Sequence, residues 1–130
     1  MGYKYYNPNP HHKSRGDCVI RAISKVMNQS WDQTYIELSI QGYLMKDWGD
    51  SNEVWDSYLR GCGFIRKTIS DTCPVCYTIK DFSIDNPYGE YILATGSHVV
   101  AVINGSYYDS WDSGHEVPIF YYERRNYYGD

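Results

Sequence analysis

Asn104-Gly105, set between the strand-like runs 98–103 and 106–111, is the feature that most narrows what this chain can fold into. Asn-Gly is the dipeptide preferred by the two-residue type I′ turn, whose twist matches that of the antiparallel strands it joins. Such a turn fixes register: Ile103 faces Ser106, Val100 faces Asp109 and His98 faces Trp111. Directly opposed residues share a face, so His98, Asp109 and Trp111 are expected on one side of the hairpin. Asp109 is then the diagonal neighbour of His98, about 7–8 Å away between backbones, within reach of planar side chains. Asp112 alternates to the other side.

Upstream, the pattern is helical. Residues 1–16 are polar, contain two Asn-Pro steps and show no periodicity, which predicts an extended N-terminal arm. From Asp17, an N-cap residue by type, Val19, Ile20, Ala22, Ile23, Val26 and Met27 form a broad apolar stripe with Arg21, Ser24 and Lys25 opposite. Cys18 is thereby placed at the first helical position. A second helix is expected from Ser30, with Gln33 completing a capping box and Trp31, Tyr35 and Leu38 turned inward. A third spans about 52–60, ended by Gly61 and Gly63. A strand at 64–69, a loop at 71–76 and a short helix at 78–85 follow, then strands at 91–95, 98–103, 106–111 and 117–122. Helices first and an antiparallel sheet second make the expected class α+β, one domain over residues 1–130. Residues 123–130 read as a frayed tail, with Tyr121, Tyr122, Tyr127 and Tyr128 on an edge strand and that tail.

The charge balance removes some functions. With 12 Lys and Arg against 16 Asp and Glu, the net charge is −4, and no basic run exceeds Arg124-Arg125. A nucleic-acid footprint needs a clustered basic face, so none is expected. No stretch reaches the ~20 apolar residues of a membrane span, and residues 1–8 lack the apolar core of a secretory signal. The chain is expected to stay in the cytoplasm, where its four cysteines would not form a disulfide framework. Cys73-Pro-Val-Cys76 has the spacing of half a zinc knuckle or of a redox pair. Its only spare partners, Cys62 and His11, His12 or His115, sit at no motif spacing, so a solvated loop without metal is expected.

Chemistry concentrates elsewhere. An imidazole oriented by a carboxylate keeps one tautomer and acts as a base toward a third group. Cys18 suits that part, because unpaired N–H groups and the helix dipole favour an anion at a helix N-terminus. A thiol so placed beside an imidazolium falls well below its ordinary pKa. His98 and Asp109 are the candidate base and orienting acid.

Gly16-Asp17-Cys18 opening an apolar helix, then Ser97-His98-Val99-Val100-Ala101-Val102, then Tyr107-Tyr108-Asp109-Ser110-Trp111 resembles the papain-like cysteine peptidase superfamily. It is similar in particular to a small stand-alone bacterial or phage branch near the bacteriocin-leader peptidases, which carry Asp-Cys at the helix start. The resemblance covers residues 12–112 on about a dozen motif positions. It implies a papain-like fold with Cys18 starting the central helix, and catalytic roles for Cys18, His98 and Asp109, with Trp111 shielding the His–Asp bond. It implies thioester-forming hydrolysis of a peptide or isopeptide bond in a peptide or protein substrate, with no cofactor. The superfamily's oxyanion Gln, six residues before the cysteine, is replaced by His12. His12 or Ser14 is the candidate side-chain donor beside the Cys18 amide. Two other readings stay open: an acyltransferase on the same fold, and a catalytically silent binding module. Substrate identity and oligomeric state are left open.

Overall fold

The computed structural model describes residues 2–13, 16–70 and 75–125. Among them the elements run β1 (Gly2–Tyr5), α1 (Cys18–Met27), α2 (Trp31–Met45), α3 (Asn52–Gly61), β2 (Phe64–Thr68), α4 (Ile79–Asp85), β3 (Glu90–Ala94), β4 (Val99–Ile103), β5 (Ser106–Asp109) and β6 (Phe120–Arg124). The class is α+β. The strands form one sheet in the order β1-β5-β4-β3-β6-β2.

The hairpin takes the register its turn dictates. Asn104 and Gly105 have φ of 47° and 81°, as a type I′ turn requires. Ile103 pairs with Ser106, Val102 with Tyr107 and Ala101 with Tyr108. Beyond that point the ladder ends, so His98 lies just before β4 and Trp111 lies in the loop after β5.

The sheet is mixed, not antiparallel throughout: β1 runs parallel to β5 at one edge. This corrects the expectation that residues 1–16 are a simple extended arm. Gly-Tyr-Lys-Tyr carries no apolar alternation, and its place is set largely by backbone pairing. The Gly2 N–H donates to Gly105 O at 3.1 Å and the Tyr6 N–H to Asp109 O at 2.8 Å, while Tyr3 packs on Tyr107 with centroids 5.8 Å apart.

Helices cover both faces. Ile92, Ala94, Val99 and Ala101 pack with Ile23, Val26, Trp55 and Leu59 from α1 and α3. Tyr91, Leu93, Val100 and Val102 pack with Ile79 and Phe82 of α4. A sheet buried on both faces explains why β4 is apolar at every position instead of alternating. β6 is an interior strand, which corrects its reading as an edge. Its Tyr122 is buried with its ring 5.4 Å from that of Trp55, and its hydroxyl donates to Asp56. Glu123 and Arg124 belong to β6 and not to a frayed tail: Glu123 pairs with Lys67 at 2.7 Å, and Arg124 donates to Val26 O at 2.8 Å. Tyr127 and Tyr128 lie outside the described residues.

Several local expectations also change. Asp17 precedes α1 but makes no side-chain cap, its carboxylate being taken by other partners. Arg21 and Ser24, expected on the solvent side of α1, are buried. In α2, the Ser30 hydroxyl accepts from Gln33 N at 3.1 Å, but the Gln33 amide donates to Glu37, so only half of the capping box forms. Leu38 is buried, whereas Tyr35 is half exposed and stacks on Trp31. Cys76 is disulfide-bonded, which overturns its reading as a free thiol in a solvated loop; Cys73 and Ser14 fall outside the described residues. Cys18 and Cys62 are free. Among the described residues no helix is long and apolar enough to cross a membrane.

Candidate active site

Three elements meet where α1 begins, β4 begins and β5 ends. Cys18 is the first residue of α1, His98 immediately precedes β4 and Asp109 closes β5. Two positions follow from local sequence: Cys18 from the start of the apolar stripe and Asp109 from the hairpin register. Strict alternation would put His98 on the α4 side with Val100. It lies outside the strand, where that constraint lapses, and so it can meet a residue of α1.

Of Cys18, His98 and Asp109, Asp109 is the most enclosed, at 1 % exposure. Its Oδ2 lies 2.5 Å from His98 Nε2 and accepts the Ser113 hydroxyl at 2.6 Å. Its Oδ1 accepts from Ser110 N at 2.8 Å and from Arg21 at 3.2 Å. With Nε2 given to Asp109, Nδ1 is the ring nitrogen left to act on the Cys18 thiol. The Val99 N–H also favours the ionised sulfur. Asp112, by contrast, accepts the Tyr107 hydroxyl at 2.6 Å and has no bond to His98. The carboxylate bonded to His98 is therefore Asp109 and not Asp112.

The protonation states follow from these contacts. Burial works against a thiolate at Cys18. The hydrogen bond and charge of His98, the Val99 amide and the more distant Arg21 outweigh it, so the thiol lies below its ordinary range. Burial would likewise lower the His98 imidazolium, but Asp109 and Cys18 push it up to about 9. For Asp109, burial is overcome by His98, Ser113 and the Ser110 amide, which hold the carboxyl below the usual carboxylate range. Each group thus favours the charged form of the other, the imidazolium that of the thiol and the thiolate that of the ring. Cys62 is the contrast: burial, the largest influence on it, pushes its thiol up.

Trp111 sits over His98 with ring centroids 5.1 Å apart, while remaining 41 % exposed. It covers one side of the imidazole. The Cys18 N–H opens α1 and donates to no acceptor among the described residues, as expected of a first-turn amide. His12 is not brought to the site. It is exposed at φ 54°, in the turn closed by its own N–H on Asn9 O, and its ring has no hydrogen bond among the described residues.

Sequence reasoning missed the buried pairs behind the site. Arg21 bonds Asp17 and Asp109 together, and the Trp31 indole donates to Asp17 at 2.9 Å. The one available signal was the i, i+4 spacing of Asp17 and Arg21; nothing local announces Ser113. Beside Asp17 and Val19, the neighbours of Cys18, opens a groove of about 800 Å3 walled by Trp31, Tyr35, Tyr43 and Trp48. Among the described residues no group of three or more His, Cys, Asp or Glu is arranged to hold a metal ion. No protein-family model, curated protein or solved structure matches the chain.

Proposed function

We propose that the protein is a papain-like cysteine hydrolase acting on a peptide or isopeptide bond. The observation that carries this reading is the 2.5 Å bond from His98 to Asp109 together with the action of His98 on the Cys18 thiol, at a helix N-terminus whose first amide has no acceptor among the described residues. The Cys18 thiolate attacks the substrate carbonyl carbon, and the oxyanion forms against the Cys18 N–H. His98 then gives its proton to the leaving amine as the C–N bond breaks, leaving a thioester. His98, now neutral, takes a proton from water as the water oxygen attacks. Collapse releases the acid and returns the proton-bearing imidazole to the thiolate. Asp109 holds the ring in one orientation throughout. The aromatic groove beside Cys18 is where an extended substrate would lie.

A peptide library incubated with the protein, with Cys18→Ser as control, tests the reading. New carboxyl termini that depend on Cys18, together with a hydroxylamine-sensitive acyl adduct on it, are expected. Capture of the acyl group by added amines in preference to water would assign a transferase instead. One observation favours a silent module: His12, the candidate second oxyanion donor, is exposed, and no hydrogen bond of its ring among the described residues fixes it toward Cys18. No turnover despite selective alkylation of Cys18 would establish that alternative.

A further inference from the structure

Arg21 joins the two halves of the site. It lies one turn into α1, three residues after Cys18 and therefore on the same helical face. Its guanidinium reaches the Asp17 carboxylate with one nitrogen and Asp109 Oδ1, at 3.2 Å, with the other. Arg21 is 5 % exposed, Asp17 8 % and Asp109 1 %, so the bridge is shielded from water. Trp31 of α2 fixes the far oxygen of Asp17. Among the described residues this is the one side-chain ion pair between the helix that carries the nucleophile and the strand that carries the acid.

We propose that Arg21 is a positioning residue: by clamping Asp17 and Asp109 on one guanidinium, it sets the approach of Cys18 to His98. The proposal rests on the Cys–His–Asp reading above. Ser110 N and Ser113 orient the Asp109 carboxylate within its own loop, and Tyr6 N and the Tyr3 hydroxyl hold its backbone oxygen. Of these residues only Tyr6 reaches α1, through its ring 5.2 Å from the Lys25 ammonium, well along the helix from Cys18. Without Arg21, α1 still packs on β4 through Ile23, Val26, Val99 and Ala101, but the acid and its imidazole lose the charged tie that refines their distance from the sulfur. The charged and titratable groups around it are Asp17 and Cys18 at the start of α1, Asp109 on β5, and His98 through Asp109.

The test is the pH dependence of Cys18 alkylation by iodoacetamide, mapped by mass spectrometry, alongside thermal melting. Arg21→Gln alone would leave two buried carboxylates facing each other, so the deciding variant is the charge-neutral pair Asp17→Asn with Arg21→Gln. It changes no net charge, which isolates the effect of position from that of field. The folded double variant is expected to lose about tenfold to a hundredfold in alkylation rate at pH 6. Its profile should move toward that of an ordinary thiol. Arg21→Lys, which keeps the cation, should recover most of that loss. A folded double variant whose pH profile overlies that of the wild type, with only its melting temperature lowered, would overturn the proposal. So would a double variant that cannot fold, since the network would then belong to stability. If wild-type Cys18 is itself no more reactive than Cys62, it is the hydrolase reading that fails.

Discussion

Asp109 stays ionised while almost wholly enclosed, and that is a demanding state for a carboxylate. An unpaired buried charge is driven to neutralise. Here both oxygens are occupied, each by two donors, one of them Arg21 and another the imidazolium of His98. Removing the acid has a double cost. Asp109→Ala should destabilise the fold by about 3–5 kcal/mol, because it strips a buried partner from Arg21. Asp109→Asn, which keeps the shape, should melt closer to the wild type and still slow alkylation of Cys18. Asp112→Ala should leave alkylation unchanged, since Asp112 serves Tyr107. Thermal melts and labelling rates on the three variants check this; slower labelling in Asp112→Ala alone would transfer the role to that residue.

At the scale of elements, the β4–β5 hairpin is what brings His98 and Asp109 together. Its turn depends on two residues of positive φ, and Gly105 at 81° tolerates no β-branched side chain without strain. Gly105→Val should cost about 1–3 kcal/mol. It should also depress Cys18 reactivity from a distance, because a slipped register moves Asp109 away from His98. Circular dichroism melts and alkylation rates follow both effects. A variant that is destabilised yet fully reactive would separate the turn from the site. This hairpin was legible in the sequence because a dipeptide and a two-residue period determine it. β1 was not, since four residues without alternation gain their place from backbone pairing with a strand a hundred positions away. Nor was the interior position of β6, because strand order is a property of the whole sheet. Arg21 was misplaced for a related reason. Helical spacing finds the apolar face of α1, but only the tertiary fold reveals that buried carboxylates await the opposite one.

For the molecule as a whole, the site depends on a sheet held between two helical layers, with α1 pinned so that its first residue meets the strand ends. Folding is thereby coupled to pH through the site. The folded-state pKa of His98 is raised to about 9, so its contribution to stability is complete below about pH 6.5 and is lost as pH rises toward 9. Asp109 is held low, so its contribution is complete above about pH 4 and is lost in more acid solution. Over the same range the lowered Cys18 thiol contributes stability with the opposite sign and offsets that loss in the wild type, so the melting temperature should decline from pH 7 to 9 in Cys18→Ser, and less so in Cys18→Ser with His98→Ala. An identical decline in both would place the titrating group elsewhere. Turnover, if it follows the ion pair, should rise as the Cys18 thiol ionises and fall on an alkaline limb near pH 9.

The central claim is that Cys18 exists as a thiolate paired with His98, and brief sub-stoichiometric iodoacetamide across pH 5 to 10 tests it most directly. Free Cys62 is the internal reference, being raised by burial where Cys18 is lowered. The account predicts that at pH 6 Cys18 is alkylated well ahead of Cys62, and that His98→Ala delays its labelling to the alkaline range of an ordinary thiol. Equal labelling of Cys18 and Cys62 at pH 6, unchanged by His98→Ala, would contradict it.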